Sequence, residues 1–301
     1  MTLVIILALT IGLLLGLLGG GGSILTIPVL VYLLNVAPKT AIATSLLVVG
    51  LTSLVAMLGH ARQGRVCLRT GLVFGVAGML GAYGGGRLAA FIPGGVLLLL
   101  FATIMCATAL AMLRNRRPEQ AVTEKNASPC PAHVPVMAIV FDGLLVGGLT
   151  GLVGAGGGFL VVPALNLLGG IRMHAAVGTS LLVIALNSFA GLAGYISHVE
   201  IDYHLAALLA GFAMVGSLIG GRFSSRIRAD ILRRLFGIFV MGIAFYLLSK
   251  ELRPELLEET RQLILDHPDF IWGVATVVLG LLLLRLREWI HTHQGLQVIQ
   301  D

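Results

Sequence analysis

The sequence predicts an all-α polytopic membrane protein built from two inverted copies of one helical unit, and three observations lead there. The first is composition. The 301-residue chain is 57% apolar and only 11% charged, whereas a soluble globular chain carries about 25% charged residues. So few charges cannot cover a water-facing surface, and lipid must solvate most of the chain. The 40 glycines fit, because small residues let membrane helices approach closely.

The second observation is repetition. Gly16-Leu17-Leu18-Gly19 returns as Gly151-Leu152-Val153-Gly154, and the 135-residue offset then holds without a gap. Pro28 aligns with Pro163, Thr44-Ser45 with Thr179-Ser180, Gly59 with Gly194, and Gly85-Gly86-Arg87 with Gly220-Gly221-Arg222. Between 16–59 and 151–194, 18 of 44 positions are identical. Shared Leu follows from composition alone, but Pro, Thr-Ser and Gly-Gly-Arg in one register require duplication.

The third is a change of side in the basic residues. Arg62, Arg65 and Arg69 occupy the loop at 60–69, and Arg114, Arg116, Arg117 and Lys125 the segment at 114–125. In copy two the loop matching 60–69 carries Glu200 and Asp202 instead, and the basic loop is 222–234. Basic loops stay in the cytoplasm. The copies are therefore expected in opposite orientations, with the N-terminus outside, 60–69, 114–134 and 222–234 inside, 197–203 and 250–269 outside, and the C-terminus inside.

Element by element, copy one offers apolar stretches at roughly 2–34, 40–59, 70–91 and 95–113. Copy two repeats them at roughly 135–169, 175–196, 204–221 and 234–249. This gives membrane repeat 1 at 1–113, a cytoplasmic linker at 114–134, membrane repeat 2 at 135–249, a polar acid-rich segment at 250–269 and a C-terminal membrane helix and tail at 270–301. Opposite orientation demands an odd number of crossings per copy. The first stretch supplies the correction. As one helix it would run about 50 Å at 1.5 Å per residue, against a hydrocarbon core of about 30 Å. It is interrupted by Gly19-Gly20-Gly21-Gly22-Ser23, and its counterpart by Gly154-Ala155-Gly156-Gly157-Gly158. Each glycine costs a helix about 1 kcal/mol relative to alanine. Each first stretch is expected to be two helical arms meeting at a glycine tip, the alternative being one long kinked helix. The apolar N-terminus has no basic leader or small-residue cleavage site and reads as retained span.

Inverted repeats with broken helices are a transporter architecture whose site lies where the breaks meet. At each tip a second arm begins, so free N–H groups and a positive dipole end would favour an anion. The expected substrate-binding residues are Gly19, Gly20, Gly21, Gly22 and Ser23, with Thr44 and Ser45, and Gly154, Gly156, Gly157 and Gly158, with Thr179 and Ser180. The competing reading makes the glycines packing contacts and returns the hydroxyls to their own helices. Arg87 and Arg222 would snorkel by default. Arg87, on the outer side with no other charge in its vicinity, is the better anion funnel of the two. Asp142 is the acid inside an apolar stretch and the candidate coupling group, although hydration from the neighbouring loop competes with that role. His60, His174 and His198 fall at segment ends and read as interfacial, and Cys67, Cys106 and Cys130 as thiols without metal or redox spacing.

Nothing points to chemistry on a substrate. No catalytic pair, nucleophile elbow, metal-ligand cluster or Walker sequence is present, so no catalytic residue, metal or cofactor is assigned. The net charge of +6 resides in short inter-helix loops, which argues for lipid as partner and against nucleic acid. Oligomeric state is open. The chain resembles the sulfite exporter TauE/SafE family of bacterial permeases, on Gly16–Pro28 (GLLGGGGSILTIP) with Ala41–Ser45 and on Gly151–Pro163 (GLVGAGGGFLVVP) with Ala176–Ser180. The resemblance covers most of 1–249. It implies a multi-pass protein of the bacterial inner membrane that carries small anions, among them sulfite, organosulfonates or thiosulfate. The competing class is a non-transporting membrane enzyme or scaffold.

Overall fold

The first apolar stretch breaks where the glycines stand. In the computed structural model, which describes residues 2–114, 130, 136–154, 157–168, 171–224, 227 and 229–251, α1 (Thr2–Leu18) ends at Gly19 and α2 (Gly21–Pro28) begins two residues later. Gly19 takes a φ of 71°, a left-handed conformation closed to most side chains. The chain then turns back, and Gly22 lies against Ile11 and Leu15 of α1. Pro28 has no N–H to continue the helix, and the backbone widens into a π turn over Val29–Leu33. Copy two does the same: α6 (Val136–Val153), a break at Gly154 and Gly157 with φ of 74° and 77°, α7 (Gly158–Pro163) and a π turn over Ala164–Leu168. Matching bonds recur at the 135-residue offset. Val36 N–H donates to Leu30 O at 2.9 Å and Ile171 N–H to Leu165 O at 3.1 Å. The first stretch of each copy is thus a broken pair of arms and not one long helix.

The remaining elements are α3 (Pro38–Ala61), α4 (Leu68–Leu88), α5 (Gly94–Arg114), α8 (Met173–Tyr195), α9 (Tyr203–Ser224) and α10 (Ala229–Glu251). No strand occurs among the described residues. Among the described residues five helices are long and apolar enough to cross a membrane, namely α3, α4 with its extension to Phe91, α6, α8 and α9. Leu80, Phe245 and Met137 are 70%, 74% and 76% exposed. Such apolar exteriors suit hydrocarbon. Beyond Glu251, the predicted acid-rich segment and ninth span lie outside the described residues.

The copies exchange their first arms. Helix α1 packs on α9 of copy two, and α6 packs on α4 of copy one. Both seams are built from glycines four residues apart. A Cβ on Gly12 or Gly16 would strike the backbone of Ala213 or Ser217, and one on Gly147 or Gly151 that of Gly78 or Ala82. Lipid provides no hydrophobic drive between helices, so this close backbone approach is what joins them. Residues 1–252 consequently form one unit, and neither repeat stands alone. At the centre α3 crosses α8. The contacts of Leu46 with Gly191, Gly50 with Ser188 and His60 with Gly178 show that the two run antiparallel.

Basic residues of both copies meet at one end. Arg62 and Arg222 line the same pocket, and Cys67 is joined to Cys130 in a disulfide with Cα atoms 5.6 Å apart, which brings Cys130 to that end too. The disulfide corrects the expectation of unremarkable thiols: Cys67, just ahead of α4, meets Cys130, 63 residues away in sequence. At the other end Arg87 donates to Ser197 Oγ at 2.9 Å and Lys39 to the Ala90 carbonyl at 2.9 Å. In a cysteine-free background, Ser197→Cys should label from the periplasm with an impermeant maleimide and Gln63→Cys only after permeabilisation. The reverse pattern would overturn the charge-based orientation.

Candidate functional site

The glycine tips meet. A Cβ on Gly20 would fall on the backbone of Gly158, and one on Gly158 on the Cα of Gly20. Around them α3 and α8 contribute a buried polar seam. Thr44, Ser45, Ser53, Thr179, Ser180, Asn187 and Ser188 are each at most 1% exposed. Among these, Thr44 Oγ1, Ser45 Oγ, Ser53 Oγ, Ser188 Oγ and both side-chain atoms of Asn187 have no hydrogen-bond partner. A buried polar group left unsatisfied costs about 1–3 kcal/mol, so this cluster is the candidate site.

The predicted residues divide. Gly19, Gly20 and Gly158 sit at the junction of the tips, and Gly22 and Gly157 fold back on their own first arms, against Leu15 and Thr150. Gly21 begins α2, Gly154 lies against Ile42 at the start of α3, and Gly156 lies outside the described residues. Thr44 and Ser45 keep unpartnered hydroxyls. Ser23 does not join them, because its Oγ donates to its own Gly20 carbonyl at 2.7 Å. Thr179 accepts from Cys67 N–H at 2.9 Å, and Ser180 Oγ lies 2.8 Å from the Gly19 and Val177 carbonyls. These two hydroxyls brace the tip and the α4 start.

Arg222 and Arg87 stand apart from the tips, one at each end, and both are exposed. Arg222 lines a pocket of about 220 Å³ with Arg62, Gln63 and Ser217. Arg87 is not the isolated charge that the sequence suggested. Lys39 and Arg87 both act on His198, and burial first, then these two cations, hold its imidazole below its usual value. Asp142 is half-buried in α6 and has interaction partners of its own.

The part played by three residues was missed in the sequence. His60 is 1% exposed, not interfacial, and its Nε2 lies 3.1 Å from the Gly16 carbonyl. Its counterpart in the repeat, Tyr195, is fully buried and donates to the Leu152 carbonyl at 2.7 Å. Each thus latches the end of a first arm just before its tip. Their equivalence under the 135-residue offset was the available signal. Asn187 was legible as an amide inside an apolar helix, where polar groups are functional by default. Among the described residues no group of acids, histidines and cysteines could hold a metal.

Comparison with known proteins agrees with this architecture. The model of the sulfite exporter TauE/SafE family matches residues 4–247. A probable membrane transporter protein of Xylella fastidiosa is 34% identical over 245 residues, covering 79% of this chain and 91% of its own. The probable membrane transporter proteins YdhB and YunE of Bacillus subtilis are 27% and 28% identical, over 77% and 83% of this chain and 93% and 96% of theirs. No solved structure matches. With its spanning helices, paired glycine breaks and family match, the chain belongs to the sulfite exporter TauE/SafE family of multi-pass membrane transporters.

Proposed function

We propose that this chain is a secondary permease of the bacterial inner membrane for small anions, sulfur oxyanions and organosulfonates first among them. The observation that carries the reading is the contact of two glycine tips beside a buried seam of unpartnered hydroxyl and amide groups. Hydroxyls and amide N–H groups are donors that suit an anion stripped of water. The antiparallel crossing of the equivalent helices α3 and α8 supports opposite orientations of the two copies, in which either mouth can open while the other closes. In the present conformation the tips abut. The cations at the mouths, Lys39 with Arg87 and Arg62 with Arg222, would draw anions in from both sides. Counterflow of ³⁵S-labelled sulfite, thiosulfate and isethionate in proteoliposomes tests the reading. Exchange of at least one above empty liposomes is expected, and exchange of none would exclude an anion permease for this class.

The mouth at Lys39 and Arg87 also carries a pH dependence. Because His198 is held below its ordinary value, it is neutral at pH 7 and gains charge only in acid. Acidifying that side should lower KM for the anion about two- to threefold, the scale of one exposed charge. His198→Gln should flatten the acid limb. A KM that rises in acid, or a limb unchanged in the variant, would remove His198 from the path.

A further inference from the structure

At the end of the bundle where α3 stops beside the start of α8 lie buried nitrogens without a partner, two of which belong to neighbouring residues. One is His60 Nδ1, on a side chain 1% exposed, and the other is Arg65 Nη1. The two residues are neighbours: a side chain on Gly178 would run into the Arg65 carbonyl, its Cβ would lie 3.3 Å from His60 Cβ, and the Arg65 charge acts on the ring. The ring's other nitrogen is committed. A carbonyl only accepts, so Nε2 carries the proton that it donates to Gly16 O, leaving Nδ1 as a bare lone pair. The charged and titratable groups around the ring come from every neighbouring element. Arg65 in the loop and His174 on α8 act on the ring directly, and Arg62 at the end of α3 and Arg222 on α9 line the neighbouring pocket. The first arm supplies only a carbonyl here. Asp142, on α6, sits next to Gly143, which packs on Phe74 of α4, and it is not among the groups acting on the ring.

We infer that His60 and Arg65 form an anion half-site in which arrival of a small oxyanion is coupled to protonation of His60 at Nδ1. The inference rests on the reading of the chain as an anion permease. An oxyanion has acceptors and needs donors. Arg65 Nη1 offers one, and Nδ1 offers another only after taking a proton from water. Without the anion, a proton on Nδ1 would find no acceptor and would add charge beside Arg65. With it, the imidazolium gains both an acceptor and a counter-charge. Anion and proton therefore bind together and leave together. The opposite end cannot do this, because the 135-residue offset places Tyr195 where His60 stands and Glu200 where Arg65 stands. Coupling is confined to one face of a duplicated core. It also resides in a histidine, and Asp142, whose counterpart is Leu7, has no part in it.

Thiosulfate is a suitable probe because it stays fully ionised at neutral pH. Adding it to the full-length protein in weak buffer should draw about one proton from solution per thiosulfate bound, as linkage requires of a coupled site. Scored as this ratio, His60→Gln should fall at least fivefold, because glutamine keeps an N–H for Gly16 O but cannot titrate. Arg65→Gln should raise the Kd for thiosulfate about tenfold, whereas Tyr195→Phe should leave the ratio near that of the wild type. Thiosulfate exchange by the wild type without proton uptake overturns the inference even if every variant misfolds. So does a wild-type ratio in His60→Gln. A wild type that exchanges none of the three anions named above fails at the earlier step, the permease reading itself.

Discussion

Replacing Gly20 by valine is expected to abolish anion exchange while leaving the chain inserted in the membrane. The φ of Gly20 is 175°, which any residue can adopt, so the backbone itself raises no objection. The obstacle is Gly158, whose backbone occupies the space that a Cβ would need. Neither tip can yield easily. Gly19, next to Gly20, accepts from Ser180, and Gly157, next to Gly158, lies on Thr150. Overpacking of this kind costs about 1–3 kcal/mol, roughly 5- to 150-fold in a conformational equilibrium. It falls on the state in which the tips meet, so the cycle should stall with the centre forced apart. Gly158→Val should behave alike. Gly84→Val is the control, since a Cβ there meets nothing within 4 Å. Normal exchange by Gly20→Val at normal expression and thermal stability would reduce the tip contact to inert packing.

Asn187→Leu should separate function from stability. The carboxamide is 1% exposed and neither Oδ1 nor Nδ2 has a partner, so the folded protein bears the desolvation of both. A leucine of similar size removes that penalty, and thermal stability should rise by about 1–2 kcal/mol. Room exists because α4 presents Gly78 to this side chain. If the amide faces the anion, exchange should fall about tenfold, the worth of one hydrogen bond to a charged group. A variant that is more stable and transports normally would exclude Asn187 from the site. A strongly destabilised one would mean that the amide has a structural partner. Ser45→Ala should follow the same pattern more weakly, because a hydroxyl is a smaller buried polar group.

Much of this was legible in the residues themselves. The broken arms follow from four glycines in a stretch too long for one crossing, and both breaks stand where the glycines are. The grouping of Arg62 with Arg222 at one end follows from the shift in charge bias. Serine and threonine were less readable. Ser23, Ser45, Thr179 and Ser180 look alike in sequence, yet Ser23 spends its proton on its own turn, Thr179 and Ser180 brace other elements, and Ser45 is left unpartnered. Which carbonyl lies within reach of a hydroxyl is a matter of a few ångströms, and no local pattern encodes it.

By itself the sequence determined the class, the duplication, the breaks and the family. These depend on composition and on short-range backbone rules: too few charges for water, a glycine run that ends a helix, a proline that forbids the next hydrogen bond. Only the tertiary structure decided that the first arms are exchanged, α1 onto α9 and α6 onto α4, so that the duplicated units cannot be separated. It also decided that His60 and Tyr195 are buried latches, and that Cys67 meets Cys130. The physical reason is common to all three. Inside a bilayer every apolar face is equally content with lipid, so hydropathy does not choose which helices touch. Backbone-to-backbone fit between glycine seams makes that choice, and it depends on residues more than 60 positions apart in the chain.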